Sequence, residues 1–152
     1  MVQKTPNLKG RVVAITRPSG QAEEAGALIK AKGGIPYYIP AIEIKRLSNP
    51  ELVKKFVAEL WDRQVDYVVL MSTNGVKCLF EAAEGIGQTT KLQEGLAKSF
   101  VIAVGPKTAE AFSEYNVRVD MVPQKYSSEG LLEALQGENL KGKRIRIPRT
   151  SN

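Results

Sequence analysis

Three times along this chain a short apolar run enters a polar turn of the kind that starts a helix. Val12-Val13-Ala14-Ile15 leads into Thr16-Arg17-Pro18-Ser19-Gly20, Tyr67-Val68-Val69-Leu70-Met71 into Ser72-Thr73-Asn74-Gly75, and Phe100-Val101-Ile102-Ala103-Val104 into Gly105-Pro106-Lys107-Thr108. Runs of four to six residues without alternation suit strands buried on both faces, and between them lie segments with helical spacing. That order predicts an α/β fold built on parallel sheet. In an open parallel sheet the turns that follow the strands share one edge, where ligands usually bind. Each turn offers hydroxyls and backbone N–H groups at a helix start, so the expected ligand is anionic.

Composition narrows the chemistry. Among 152 residues there is no histidine and one cysteine, Cys78. This argues against a metal site and an internal disulfide, and it excludes Ser-His and Cys-His nucleophiles within the chain. The single cysteine fits a cytoplasmic protein, and Met1 to Pro6 lacks the apolar core of a secretory signal. No apolar run has the length of a membrane span. The net charge of +6, from 22 basic and 16 acidic residues, suits an acidic ligand. The densest basic cluster, Lys141 to Arg146 with Arg149, reads as a solvated loop and strand edge. Nucleic-acid binding is not expected, since no recognisable module and no exposed aromatics are interleaved with these charges.

Periodicity divides the chain further. A helix after the first strand carries Ala22, Ala25 and Ile29 on one face, with Leu28 beside it, and stops at Gly33-Gly34. A strand follows at 35–39. The alternating Ala41-Ile42-Glu43-Ile44-Lys45 has the character of an exposed or linking strand. A helix over 50–62 presents Leu52, Phe56 and Leu60, widened by Val53 and Val57, and ends at Trp61. Beyond the strand at 66–71, a helix turns Val76, Leu79, Phe80 and Ala83 inward and breaks at Gly85-Ile86-Gly87. A short surface helix is expected at 89–98, a strand at 100–104, a helix opening at Pro106 and a strand at 117–121. Ser127 or Ser128 caps a helix carrying Leu131, Leu132 and Leu135. A last strand, Arg144 to Ile147, has no crossover helix after it.

Each motif has a plain structural explanation. Neither nucleotide-binding glycine pattern is present, and Gly105-Pro106-Lys107-Thr108 lacks the upstream glycine of a phosphate loop. Ser72 or Thr73 serves as an ordinary helix cap, and Asn74 satisfies the first turn. Cys78 is a small helix residue, Tyr37 and Tyr38 pack in a strand, and Tyr126 stands before a cap within reach of a ligand. Repetition on one edge, with Arg17 in the first turn, raises the set above capping alone.

In order and spacing, four segments resemble the uroporphyrinogen-III synthase family: Val13 to Pro18, Asp66 to Val76, Ala103 to Ala109 and Tyr126 to Leu131. The resemblance implies two similar parallel-sheet domains of flavodoxin-like type joined by a two-stranded linker. The chain of such a protein starts in the first domain, builds the second and returns to finish the first. Mapped here, residues 1–40 open an incomplete first domain, 41–45 form one linker strand and 46–152 most of a second domain. The family's continuation after Arg149, with its tyrosine near the return linker, is absent, so this chain is expected to be the first part of a longer protein.

The implied activity is cofactor-free cyclisation of hydroxymethylbilane, a linear tetrapyrrole, to uroporphyrinogen III with inversion of the last ring, a lyase step of heme, siroheme and cobalamin synthesis. Arg17, Ser72, Thr73, Asn74, Gly105, Lys107, Thr108, Ser127 and Ser128 are the expected carboxylate-binding residues, with Thr108 the polar group best suited to assist the reaction. Two other readings use the same residues: a non-catalytic sensor or regulatory domain for an anionic ligand, and a flavodoxin-like module for a phosphate ligand. Strands at 11–16 and 35–39 would leave apolar surface bare, giving disorder or self-association.

Overall fold

The structure is a computed structural model that describes residues 7–41 and 49–148. Contacts divide the chain into two units, Met1–Lys45 and Arg46–Asn152. The expected linker strand lies almost wholly outside the described residues.

The first unit is a β-α-β arrangement of parallel strands. β1 (Val12–Ile15) pairs with β2 (Ile35–Tyr38) in register Val12↔Ile35 and Ala14↔Tyr37, and α1 (Ser19–Ala31) crosses between them. Alternation along β1 separates its two faces. Ile15 is buried with Ala22 of α1, while Val12 and Ile35 lie bare on the opposite face, 65% and 54% exposed. Gly26 is the seat on α1 for Tyr38, whose hydroxyl would collide with any Cβ there. Leu28 is exposed and does not join the helix's inner face.

The second unit is a three-layer α/β arrangement. Its parallel sheet has the order β4–β3–β5, formed by β3 (Tyr67–Leu70), β4 (Phe100–Ala103) and the two-residue β5 (Ile145–Arg146). Side chains alternate between two apolar clusters. On one face Val68, Leu70, Val101 and Ala103 meet α2 (Pro50–Trp61), α3 (Thr73–Gly85), α4 (Thr89–Leu96) and α5 (Pro106–Ser113). On the other, Tyr67, Val69 and Ile102 meet Leu131 and Leu135 of α6 (Ser128–Leu135). Burial on both faces is why these strands read as continuous apolar runs.

Local chemistry sets where the helices begin. The Asn49 carboxamide accepts from the Leu52 N–H at 3.2 Å and Pro50 takes the first helical position of α2. Ser72 caps α3 by accepting from the Gly75 N–H at 3.0 Å, and Ser127 caps α6 by accepting from the Gly130 N–H at 3.1 Å. Val76, Leu79, Phe80 and Ala83 are all buried, as the spacing predicts.

Four expectations are corrected. Leu52 is 60% exposed and Leu132 67% exposed, so neither helix buries its full apolar stripe. The segment expected as a surface helix instead buries Leu92, Gly95 and Leu96 against α2, close enough that a Cβ on Gly95 would stand 2.8 Å from Leu60 Cβ. The strand expected at 117–121 is a single parallel bridge, Ile102↔Met121. There the Asp120 carboxylate accepts the Val101 N–H at 2.8 Å, taking the place of a backbone carbonyl. Among the described residues, no helix is long and apolar enough to cross a membrane.

Candidate functional site

Because β3 and β4 are parallel neighbours paired Leu70↔Ala103, the turns leaving them stand side by side on one edge of the sheet. The Val104 N–H donates to the Leu70 carbonyl at 3.0 Å and ties the second turn to the end of the first strand. Ser72, Thr73 and Asn74 of one turn are thereby brought beside Gly105, Lys107 and Thr108 of the other.

The two helix starts differ in how open they are. At α3, Ser72 is occupied with the cap, and Thr73 and Asn74 are half-buried. At α5 there is no side-chain cap and no acidic residue in the first turn, and Pro106 at its first position has no N–H. The Thr108 and Ala109 N–H groups both turn back to the Gly105 carbonyl, at 3.0 and 3.1 Å. Of the first-turn groups of α5, this leaves the Lys107 N–H and the exposed Lys107 side chain to meet an anion. Thr108 is one of two buried polar side chains among the described residues, at 4% exposure. The other, Ser99, donates its hydroxyl to the Val65 carbonyl at 3.0 Å.

The start of α6 is already matched. The Glu129 carboxyl is held below the usual glutamate range, first by its own backbone N–H and then by the Ser127 hydroxyl. Ser127 is the cap and Ser128 the exposed first helical residue, so an incoming anion would compete with Glu129 there. Arg17 belongs to the first unit, exposed in the turn between β1 and α1, where again no side chain caps the helix. The edge of the second unit thus brings together the β3 and β4 turns, while Arg17 lies in a turn of the first unit.

The basic cluster near the end of the described chain holds β5 in place. Asp66, just before β3, accepts the Arg144 N–H at 2.8 Å and lies 3.6 Å from Lys143 Nζ. Arg146 donates to Glu59 of α2 at 2.8 Å, and Arg144 to the Arg63 carbonyl at 2.8 Å. The Asp66 carboxyl sits below the ordinary aspartate range, chiefly because of the Arg144 N–H, and Glu59 is lowered chiefly by its hydrogen bond from Arg146. A depressed carboxylate stabilises the fold above its unfolded pKa and loses that contribution as pH falls through its folded pKa. Asp66→Asn should therefore reduce stability at neutral pH, with the gap from the parent closing below the ordinary aspartate range. Urea denaturation across that range checks this.

Two features were not anticipated from the sequence. One is a groove of about 340 Å³ lined by Leu52, Val53, Phe56, Cys78, Leu79 and Ile147. The only sign of it was an apolar stripe on α2 wider than one helix needs. The other is the seat of Tyr126 on Gly105, where a Cβ would lie 3.3 Å from the ring.

The profile of the family described as "Uroporphyrinogen-III synthase HemD" matches residues 23–152. The chain belongs to the uroporphyrinogen-III synthase family. A relative from Methanothermobacter thermautotrophicus, named "Putative uroporphyrinogen-III synthase", is 35% identical over 141 residues, covering 91% of this chain and 51% of its own length. The uroporphyrinogen-III synthase of Synechococcus elongatus is 26% identical over 148 residues, covering 93% and 51%. A crystal structure of the uroporphyrinogen III synthase of Thermus thermophilus superposes with a TM-score of 0.53 at 27% identity, covering 94% of this chain and 52% of that one. A mutant form of the same protein gives 0.62 at 24% identity, with 91% and 60% covered. The α/β fold with parallel sheets is thus the fold of the uroporphyrinogen-III synthase family, and this member spans about half the length of the curated relatives it matches.

Proposed function

We propose that this chain takes part in the cyclisation of hydroxymethylbilane to uroporphyrinogen III, holding substrate carboxylates at the edge where β3 and β4 end. The observation that carries this reading is the start of α5, without a side-chain cap, beside that of α3, with Lys107 exposed in its first turn. A substrate with eight carboxylates gains from several backbone N–H groups presented at fixed spacing, because such groups grip anions without reorganising.

The reaction removes water. The terminal hydroxyl leaves as the pyrrole nitrogen's electrons form an azafulvene. The substituted carbon of the last ring attacks it to give a spiro intermediate, which fragments, recombines with that ring inverted and closes. The pyrroles supply the electrons, so the protein's tasks are to fold the flexible chain for attack at the substituted carbon and to ease departure of hydroxide. Lys107, through its ammonium and its backbone N–H, would fix a carboxylate. Thr108, the buried hydroxyl of the α5 first turn, would donate a hydrogen bond to the departing oxygen. Thr73 and Asn74 in the neighbouring turn would hold a further carboxylate, whereas Ser72 and Ser127 are engaged as caps and Glu129 already answers the start of α6.

Lys107→Glu should weaken binding of uroporphyrin III, a stable octacarboxylate, by about tenfold at low salt. The difference should shrink in about 0.5 M salt, where charges are screened. Titration followed by porphyrin absorbance reads both. Equal affinity of parent and variant at low salt would remove α5 from the binding edge.

A further inference from the structure

Carboxylate binding at α5 leaves one side chain beside that helix without a role. Tyr126 is 64% exposed, yet the backbone that carries it is fixed on two sides. On one side its ring covers Gly105, where a Cβ would lie 3.3 Å from Tyr126 Cγ and 3.6 Å from Cδ1. The Gly105 backbone, at φ −161° and ψ 170°, is extended and open to any residue. A side chain at 105 would meet the ring above it, which would have to give by a few tenths of an ångström. On the other side the Lys125 carbonyl presses on Gly130 in the first turn of α6, where any Cβ would collide with it. The Ser127 N–H donates to that same carbonyl at 3.0 Å, and Lys125 pairs with Glu133 at 2.9 Å.

Two glycines thus hold an aromatic ring out in solvent at the N-terminus of α5. An exposed ring buries little apolar area, so it contributes little to the fold. Held in place beforehand, it loses little entropy when a flat ligand covers it. The α5 start offers the Lys107 charge and N–H, which would accept any polycarboxylate. The ring adds a surface that only an aromatic ligand can use.

We propose that Tyr126 is a binding residue that stacks on a pyrrole ring of the ligand whose carboxylates α5 holds, so that this edge selects aromatic over acyclic polycarboxylates. The proposal rests on the reading of α5 as a carboxylate site.

The test compares the parent chain with Tyr126→Phe, Tyr126→Leu and Gly105→Ala, using two probes: uroporphyrin III and acyclic butane-1,2,3,4-tetracarboxylate. Tyr126→Phe should bind the porphyrin within about twofold of the parent, while Tyr126→Leu should bind about tenfold more weakly and lose the shift of the porphyrin absorbance band. Gly105→Ala, which pushes the ring by a few tenths of an ångström, should weaken the porphyrin too. Tetracarboxylate affinity should be unchanged by Tyr126→Leu. Parental porphyrin binding by Tyr126→Leu overturns the stacking role alone. An equal loss for both probes overturns it as well, since that is the mark of a structural role. Failure of the parent chain to bind either probe overturns the carboxylate site and the stacking proposal with it.

Discussion

Phe80→Ala is expected to lower the unfolding free energy by about 3–5 kcal/mol, the range for a large aromatic removed from a core. Phe80 is 1% exposed, sits on α3 over the sheet face that carries Val68 and Leu70, and stacks on Tyr115 with ring centroids 4.0 Å apart and planes at 3°. Truncation removes the contacts of a whole ring and leaves a cavity bounded by helices that are fixed to one another, so collapse recovers little. It also bares one face of Tyr115, whose hydroxyl burial already pushes above its ordinary pKa. A domain with a typical stability of about 5–15 kcal/mol loses a large share of it. Urea denaturation should show a lower midpoint with an unchanged slope. A loss below about 1 kcal/mol would mean that the α3 face is not packed as described.

Gly130→Ala is expected to cost about 1–3 kcal/mol, although it adds one methyl group to a helix and alanine ordinarily favours helices. The new Cβ would meet the Lys125 carbonyl carbon at 2.8 Å and Lys125 Cβ at 2.6 Å, with the carbonyl oxygen nearer still. Backbone cannot swing aside as a side chain does, so residues 125–127 must move. The movement would lift Tyr126 from Gly105 and carry Ser127 away from its cap on α6. Thermal denaturation should show the loss. A variant as stable as the parent would mean that the 125–127 segment is free to relax.

How far the sequence discloses the fold depends on what its signals measure. Uninterrupted apolar runs report burial on two faces, and β3 and β4 are found where those runs stand. Helical spacing reports which face is apolar but not what covers it. That is why Leu52 and Leu132 lie exposed while Leu92 and Leu96 of a supposed surface helix are buried. The segment 117–121 has strand composition, yet Asp120 gives its carboxylate to the Val101 N–H and reduces the pairing to one bridge. Propensity does not weigh such a substitution.

The candidate site divides the same way. Ser72, Ser127 and Pro106 mark helix starts by residue type alone, and parallel topology places the first two strand turns of the second unit together. That α6 answers its own dipole through Glu129 and α5 does not is a matter of three-dimensional hydrogen bonding. Contact between Tyr126 and Gly105, far apart in the chain, leaves no periodic trace in the sequence.

The most direct test of the account is cyclisation of freshly generated hydroxymethylbilane by this chain, with the III and I isomers of the product resolved. Spontaneous closure gives isomer I. The account predicts isomer III above that background, reduced by Lys107→Glu and by Thr108→Val. Isomer I alone, formed at the uncatalysed rate, would contradict it.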